Sequence, residues 1–119
     1  MIELEWAHAF TRDWIEAWNS HDLKRIFAHY TDDFEITSPL IIQRMHEPSG
    51  MLKGKDAVRP YWQGGLDATP PLKFEPVDVL VGVNSITLYY VGATGKMAAE
   101  VFIFNEQGLV VKTMAHYGV

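Results

Sequence analysis

Glu100 is the residue whose type and position point most directly to chemistry. Residues 96–105 alternate as a strand would, placing Met97, Ala99, Val101 and Ile103 on one face and Ala98, Glu100, Phe102 and Phe104 on the other. A carboxylic acid between Ala98 and Phe102 loses hydration when it ionises, so its pKa should rise. That makes Glu100 a candidate general acid, general base or neutral hydrogen-bond donor. The structural alternative is a Glu paired with Arg59, Lys112 or a tyrosine hydroxyl, or one facing a subunit interface. A second polar group is aimed at an apolar face by the same period: Phe34, Ile36 and Ser38 alternate with Glu35 and Thr37. Ser38 has no evident His partner and no nucleophile elbow, so acyl-enzyme chemistry is not expected.

Other chemistries lack their residues. The chain has no cysteine, which removes disulfides, thiol catalysis and thiolate metal sites. Its five histidines show no metal-ligand spacing. His21 and His29 lie off the apolar stripe of the second helix and read as solvated; His8 falls on the polar side of the first helix, and His116 alternates with Ala115 and Tyr117, so it should face away from the cavity. Gly54-Lys55 lacks the rest of a P-loop, so no cofactor and no metal are expected. With a formal charge of −5 and no stretch concentrating Lys or Arg, neither nucleic acid nor an anionic membrane is an expected partner. No apolar run approaches the ~20 residues of a membrane helix, and Glu3 and Glu5 do not suit a signal peptide. The protein is read as cytoplasmic.

The 119 residues form one expected domain, 1–119, large enough for a real core. Trp6, Ala7, Phe10, Trp14, Ala17 and Trp18 fall on one stripe of a first helix, with three of the four tryptophans. Asn19-Ser20 breaks it. Ser20 is the expected N-cap of a short second helix, with Asp22 in its first turn and a stripe of Leu23, Ile26, Phe27 and Tyr30. Pro39 suggests an edge or bulge, and residues 43–54 read as a long hairpin or flap carrying His46 and Glu47. A third helix is expected over 56–63, with Asp56 as N-cap, Pro60 at the fourth helical position and Gly64-Gly65 as its stop. Strands follow over 73–81, 85–93, 96–105 and 108–118, separated by hairpin turns. Both faces of strand 96–105 are apolar, and Met114 and Val110 are assigned to its outer layer, so one cover should be the first helix and the other a second subunit. The expected architecture is α+β, a curved antiparallel sheet wrapped around the first helix, assembled as a homodimer.

The motifs Trp18-Asn-Ser-His-Asp-Leu23, Tyr30-Thr-Asp-Asp-Phe-Glu35, Ser38-Pro39 and Gly54-Lys-Asp-Ala-Val-Arg-Pro-Tyr-Trp62, followed by four strands, resemble the nuclear transport factor 2-like fold. Within it the chain looks most similar to ketosteroid isomerases and SnoaL-like polyketide cyclases. The resemblance runs over nearly the whole chain and implies a cone-shaped fold, which hosts isomerases, dehydratases, epoxide hydrolases and interaction modules alike. In the isomerases a tyrosine on the first helix donates to the developing oxyanion; the matching position here is Trp14. The general base there is an aspartate, matched by Ser38. A second, protonated aspartate is matched by Glu100, with Phe102 two residues on. Tyr61, Thr113, Ala115 and Tyr117 match the remaining pocket wall.

Two functions are compatible with this. One is a small-molecule enzyme working by isomerase, cyclase or dehydratase type acid–base chemistry on a mostly apolar or cyclic compound. Glu100 would be its catalytic residue, and Trp14, Ser38, Tyr61, Phe102, Thr113 and Tyr117 its ligand contacts. The other is a non-catalytic ligand-binding or dimerisation module. The matched isomerase base is absent, so efficient ketosteroid isomerisation is not expected.

Overall fold

A sixteen-residue helix, α1 (Leu4–Asn19), lies in the concave side of a six-stranded sheet and buries Ala7, Phe10, Thr11, Trp14, Ile15, Ala17 and Trp18. The expected stripe is therefore the buried one, extended by Thr11, whose hydroxyl donates back to the Ala7 carbonyl at 2.8 Å. Trp6 sits at its margin, 39% exposed, with its ring edge-on to Phe104 and stacked on Phe10. The computed structural model describes residues 1–118.

The helix ends by tying down a distant segment. The Asn19 side chain accepts from the Phe74 amide at 2.7 Å and donates to the Phe74 carbonyl at 2.9 Å. His21 Nε2 donates to the Leu72 carbonyl at 2.8 Å. The Trp-Asn-Ser-His motif thus gives the backbone of 72–74 the partners it would otherwise find in a strand. Ser20 is not the next N-cap: its hydroxyl donates back to Ala17, and Asp22 caps α2 (Leu23–Phe27) by accepting from the Arg25 amide. Asp22 is one residue before the helix, where a side-chain oxygen can reach the free amides of the first turn. His29 is not simply solvated, since its Nε2 lies 2.6 Å from Asp13 Oδ2 and its ring stands edge-on to Phe10.

Tyr30 ends the apolar stripe of α2 but begins β1 (Tyr30–Thr37). Pro39 does not form a strand edge or bulge; it is the first residue of a helix, α3 (Pro39–Met45), capped by Ser38 through the Leu40 amide at 3.1 Å. Ser followed by Pro is a helix start as well as a strand breaker, because proline's fixed φ and missing N–H suit the first helical position. The expected 43–54 flap accordingly divides into the last turn of α3, a turn with His46 at φ 54°, and β2 (Met51–Lys53), which pairs antiparallel with β1.

α4 (Lys55–Leu66) is longer than the expected 56–63 helix and is capped by Gly54, at φ 86°, rather than Asp56, which stands in its first turn. The helix continues through Gly64 and Gly65 because Leu66, like Trp62, is buried, and that packing outweighs the weak helix propensity of glycine. Pro60 lies at the sixth helical position, not the fourth.

β3 (Glu75–Val81), β4 (Ser85–Val91), β5 (Met97–Phe104) and β6 (Val110–Tyr117) form an antiparallel meander, and the sheet order is β2-β1-β6-β5-β4-β3. The β1–β6 contact is parallel, an exception to the otherwise antiparallel sheet. On β5 the inner face, Ala98, Glu100, Phe102 and Phe104, is buried; Ala99, Val101 and Ile103 on the outer face are half-buried and Met97 is 41% exposed. Val110 does not join Met114 on the outer layer. A register shift between Ile103 and Phe104 breaks the alternation along β6, so Val110 turns inward and is fully buried. No helix is long and apolar enough to cross a membrane among the described residues.

Candidate functional site

The cone encloses a cavity of about 580 Å³, within the range of small-molecule sites. Its apolar walls come from Trp14 and Trp18 on α1, Trp62 on α4, and Leu72 and Phe74 on the segment anchored by Asn19 and His21. Its mouth is framed by Leu40, Gln43 and Arg44 of α3, Gly65 at the end of α4, and Thr94 and Lys96 in the β4–β5 turn. Trp14, Tyr90 and Glu100 border the cavity yet are 5% exposed or less, so the floor is narrow and most of the volume lies towards the mouth.

Glu100 is the acidic residue of this lining. Its Oε1 accepts from the Tyr90 hydroxyl at 3.1 Å and its Oε2 from the Thr113 hydroxyl at 2.8 Å. The pairing is with hydroxyls, so of the structural alternatives the tyrosine is the one realised, and neither Arg59 nor Lys112 is its partner. Burial pushes the carboxyl above the ordinary glutamate range; the hydrogen bonds from Thr113 and Tyr90 oppose this without cancelling it. The same burial, with the Glu100 charge added, raises the hydroxyls of Tyr30 and Tyr90 well above the usual phenol value and those of Tyr61 and Tyr117 above it too. The floor is therefore a carboxyl that accepts from two neutral hydroxyls, and among the described residues no cation is bonded to it.

This has a consequence for stability. The proton is held more tightly by the folded than by the unfolded chain, so Glu100 favours folding below the ordinary glutamate value of 4.5, and that contribution is lost as pH rises from there through the raised folded value. Glu100→Gln, which cannot ionise, should gain stability relative to wild type between pH 5 and pH 8. Urea unfolding at both pH values checks it, and a wild-type to variant difference independent of pH would refute the shift.

Of the residues expected at the site, Trp14, Tyr61, Glu100 and Tyr117 border the cavity. Ser38, Phe102 and Thr113 do not; all three are buried behind the wall. Ser38 is turned away because its Oγ is engaged twice, by the Leu40 amide and by the Tyr61 hydroxyl at 3.2 Å. Phe102 packs edge-on against Phe10 and Trp14 in the core under α1. Thr113 meets the cavity only through Glu100. The indole of Trp14 donates to the Tyr30 hydroxyl at 2.9 Å.

Sequence reasoning missed Tyr90, Arg44 and Lys96. Tyr90 was legible: Leu88 and Tyr90 alternate inward on β4, and Tyr90 pairs with Ala98, two residues from Glu100. Arg44 was hidden by the reading of 43–54 as a flap. Among the described residues no three His, Asp or Glu side chains converge as metal ligands.

Residues 11–118 match the SnoaL-like domain. The chain belongs to the SnoaL-like family. It is similar, at 47% identity and a TM-score of 0.96 over 99% of this chain and 98% of the other, to the crystal structure of a SnoaL-like protein of unknown function from Burkholderia thailandensis. A protein of unknown function with a cystatin-like fold from Methylobium petroleophilum shares the fold at 12% identity and a TM-score of 0.77, over 99% of this chain and 79% of that one. So does the epoxide hydrolase/cyclase-like enzyme SalBIII of salinomycin pyran-ring formation, at 16% identity and a TM-score of 0.77 over 100% and 95% of the two chains. No curated protein is significantly similar. The likeness to cyclase-like and isomerase-like structures is a likeness of fold.

Proposed function

We propose that this SnoaL-like protein binds a small, mostly apolar molecule in its cone cavity and acts on it by acid–base chemistry through Glu100. The observation that supports this most is a carboxyl at the floor of an apolar cavity whose partners are hydroxyls alone. In its protonated form Glu100 presents an acidic O–H to a carbonyl, hydroxyl or ring oxygen of the bound molecule. After giving up that proton, the carboxylate is the group that takes one back from the substrate, which is the cycle of an isomerase, cyclase or dehydratase. The narrow floor favours a ligand that presents one polar group at its tip.

Non-catalytic binding is the second reading. It is favoured by the lining having neither a second carboxylate nor a histidine to share the proton transfer.

The acting unit is proposed to be a cytoplasmic homodimer. Tyr89, Ala99 and His116 are in register across β4, β5 and β6, as are Thr87, Val101 and Met114, and on this outer face Tyr89 is 42% and Met97 41% exposed. A two-fold interface places one such patch on its copy, and stable interfaces usually bury ~1,000 Å² or more in total. Native mass spectrometry of freshly purified protein tests both points. The expected species has twice the 13.5 kDa chain mass and carries a small-molecule adduct. A bare chain would remove the support for a resident ligand, and a monomer at micromolar concentration would refute the dimer.

A further inference from the structure

We propose that the molecule bound in the cone carries an acidic group, and that Arg44, with Lys96 also at the mouth, receives it. This rests on the cavity being a ligand site, and adds the chemical class of the ligand.

The charges of the lining are segregated. The chain has 15 acidic and 10 basic residues, yet among the described residues the lining holds one acid, Glu100, at the floor, and its other charged residues are Arg44 and Lys96 at the mouth. Among the described residues Arg25 is engaged with Asp13 and Glu16, Lys53 with Glu35 and Lys55 with Asp32, while Arg12, Lys24, Arg59, Lys73 and Lys112 are as free of carboxylate partners as Arg44 and Lys96; what sets the last two apart is their place on the cavity lining. Among the described residues neither Arg44 nor Lys96 has a carboxylate within 4.0 Å, and both are exposed. In an acidic protein such a rim repels no anion and offers two unneutralised cations.

Arg44 is also placed for this. It stands in the last turn of α3, and its Nη1 lies 3.9 Å from where a Cβ on Gly65 would be, so the guanidinium reaches across towards the end of α4. It shares the cavity lining with Tyr61 and Tyr117. A planar guanidinium binds a carboxylate or phosphate with two parallel hydrogen bonds, and at a half-open rim the anion keeps part of its hydration while the apolar body enters. Gln43 adjoins it on the same lining and supplies a neutral donor. The ligand would then lie with its acidic end at Arg44, its apolar body against Trp14, Trp18 and Phe74, and its far polar group towards Glu100.

The probe pair is 2-naphthylacetic acid and its methyl ester, which share an apolar body and differ in charge. Trp14, Trp18 and Trp62 border the cavity, so quenching of tryptophan fluorescence reads binding. Wild type should bind the acid about tenfold more tightly than the ester. Arg44→Gln should lower affinity for the acid about tenfold and leave the ester within twofold, while Lys53→Gln, outside the cavity, should change neither. Equal affinity of wild type for acid and ester would overturn the acidic-ligand proposal and leave the cavity reading intact, as would a preference that survives in Arg44→Gln/Lys96→Gln. Failure of both probes to bind would overturn the two together.

Discussion

Wild-type protein should leave a β,γ-unsaturated 3-ketosteroid essentially unconverted, although its cone resembles that of the ketosteroid isomerases. The reaction lifts a proton beside a carbonyl and returns it at another carbon, which needs a base that is ionised at neutral pH. The resemblance puts Ser38 at the base position, but its hydroxyl accepts from the Leu40 amide and from Tyr61, and among the described residues no basic group is bonded to it to take its own proton. The oxyanion side is impaired as well. Trp14 stands where the resemblance puts the helical tyrosine, and its single N–H is committed to the Tyr30 hydroxyl at 2.9 Å. Loss of one oxyanion donor alone costs about 10²–10³ in rate in other enzymes. Ser38→Asp is the informative variant, since aspartate caps a helix as well as serine does and would accept the same hydrogen bond from Tyr61. The expected result is that wild type and Glu100→Gln are both inactive and that any turnover gained is confined to Ser38→Asp, whose longer side chain has to reach the cavity from behind the wall where Ser38 is buried. Efficient isomerisation by wild type would refute the assignment of roles.

Trp14→Ala should be among the most damaging substitutions in the chain, at ~3–5 kcal/mol. The indole is 1% exposed, stacks on Phe74 with centroids 5.6 Å apart, and meets Tyr90 and Phe102 edge-on at 5.4 and 5.3 Å. Truncation would remove these contacts at once and join the new void to the existing cavity. It would also leave the Tyr30 hydroxyl without its donor. Trp14→Phe separates the two effects, because it keeps most of the ring contacts and loses the N–H, at a cost of about 1–2 kcal/mol. Urea denaturation measures both; a loss under ~1 kcal/mol for Trp14→Ala would mean the side chain is not part of the core.

Periodicity alone does not tell an inward-facing residue from one that lines the cavity. Alternation along β1 and β5 assigned Ser38, Glu100 and Phe102 to the inner side of the sheet, and all three are buried there. Inside is not the same as lining, however. Phe102 is covered by α1 and Thr113 by the carboxyl it supports, whereas Tyr117, at the open end of β6, stays 37% exposed on the cavity rim. Which inward residues meet empty space depends on how far α1 and α4 reach along the sheet.

The amino-acid sequence determined the elements that rest on local rules. The apolar stripe of α1, the meander of β3 to β6 and the apolar surroundings of Glu100 follow from periods of 3.6 and 2, which burial on one face imposes on any chain. Where one residue type serves two local roles, the sequence left the outcome open. Pro39 can stop a strand or start a helix, Gly64-Gly65 can end a helix or lie within one, and Val110 turns inward only because β6 slips register against β5. Those outcomes came from packing: Leu66 buried beyond the glycines, and Ser38 held by Tyr61 from another helix. The surroundings of Glu100, with Tyr90 ten residues before it and Thr113 thirteen after, and the meeting of Arg44 and Lys96 at one mouth, were decided by the tertiary structure alone. Such contacts join strands and helices whose sequence separation carries no period, and only the curvature of the sheet around α1 brings them together.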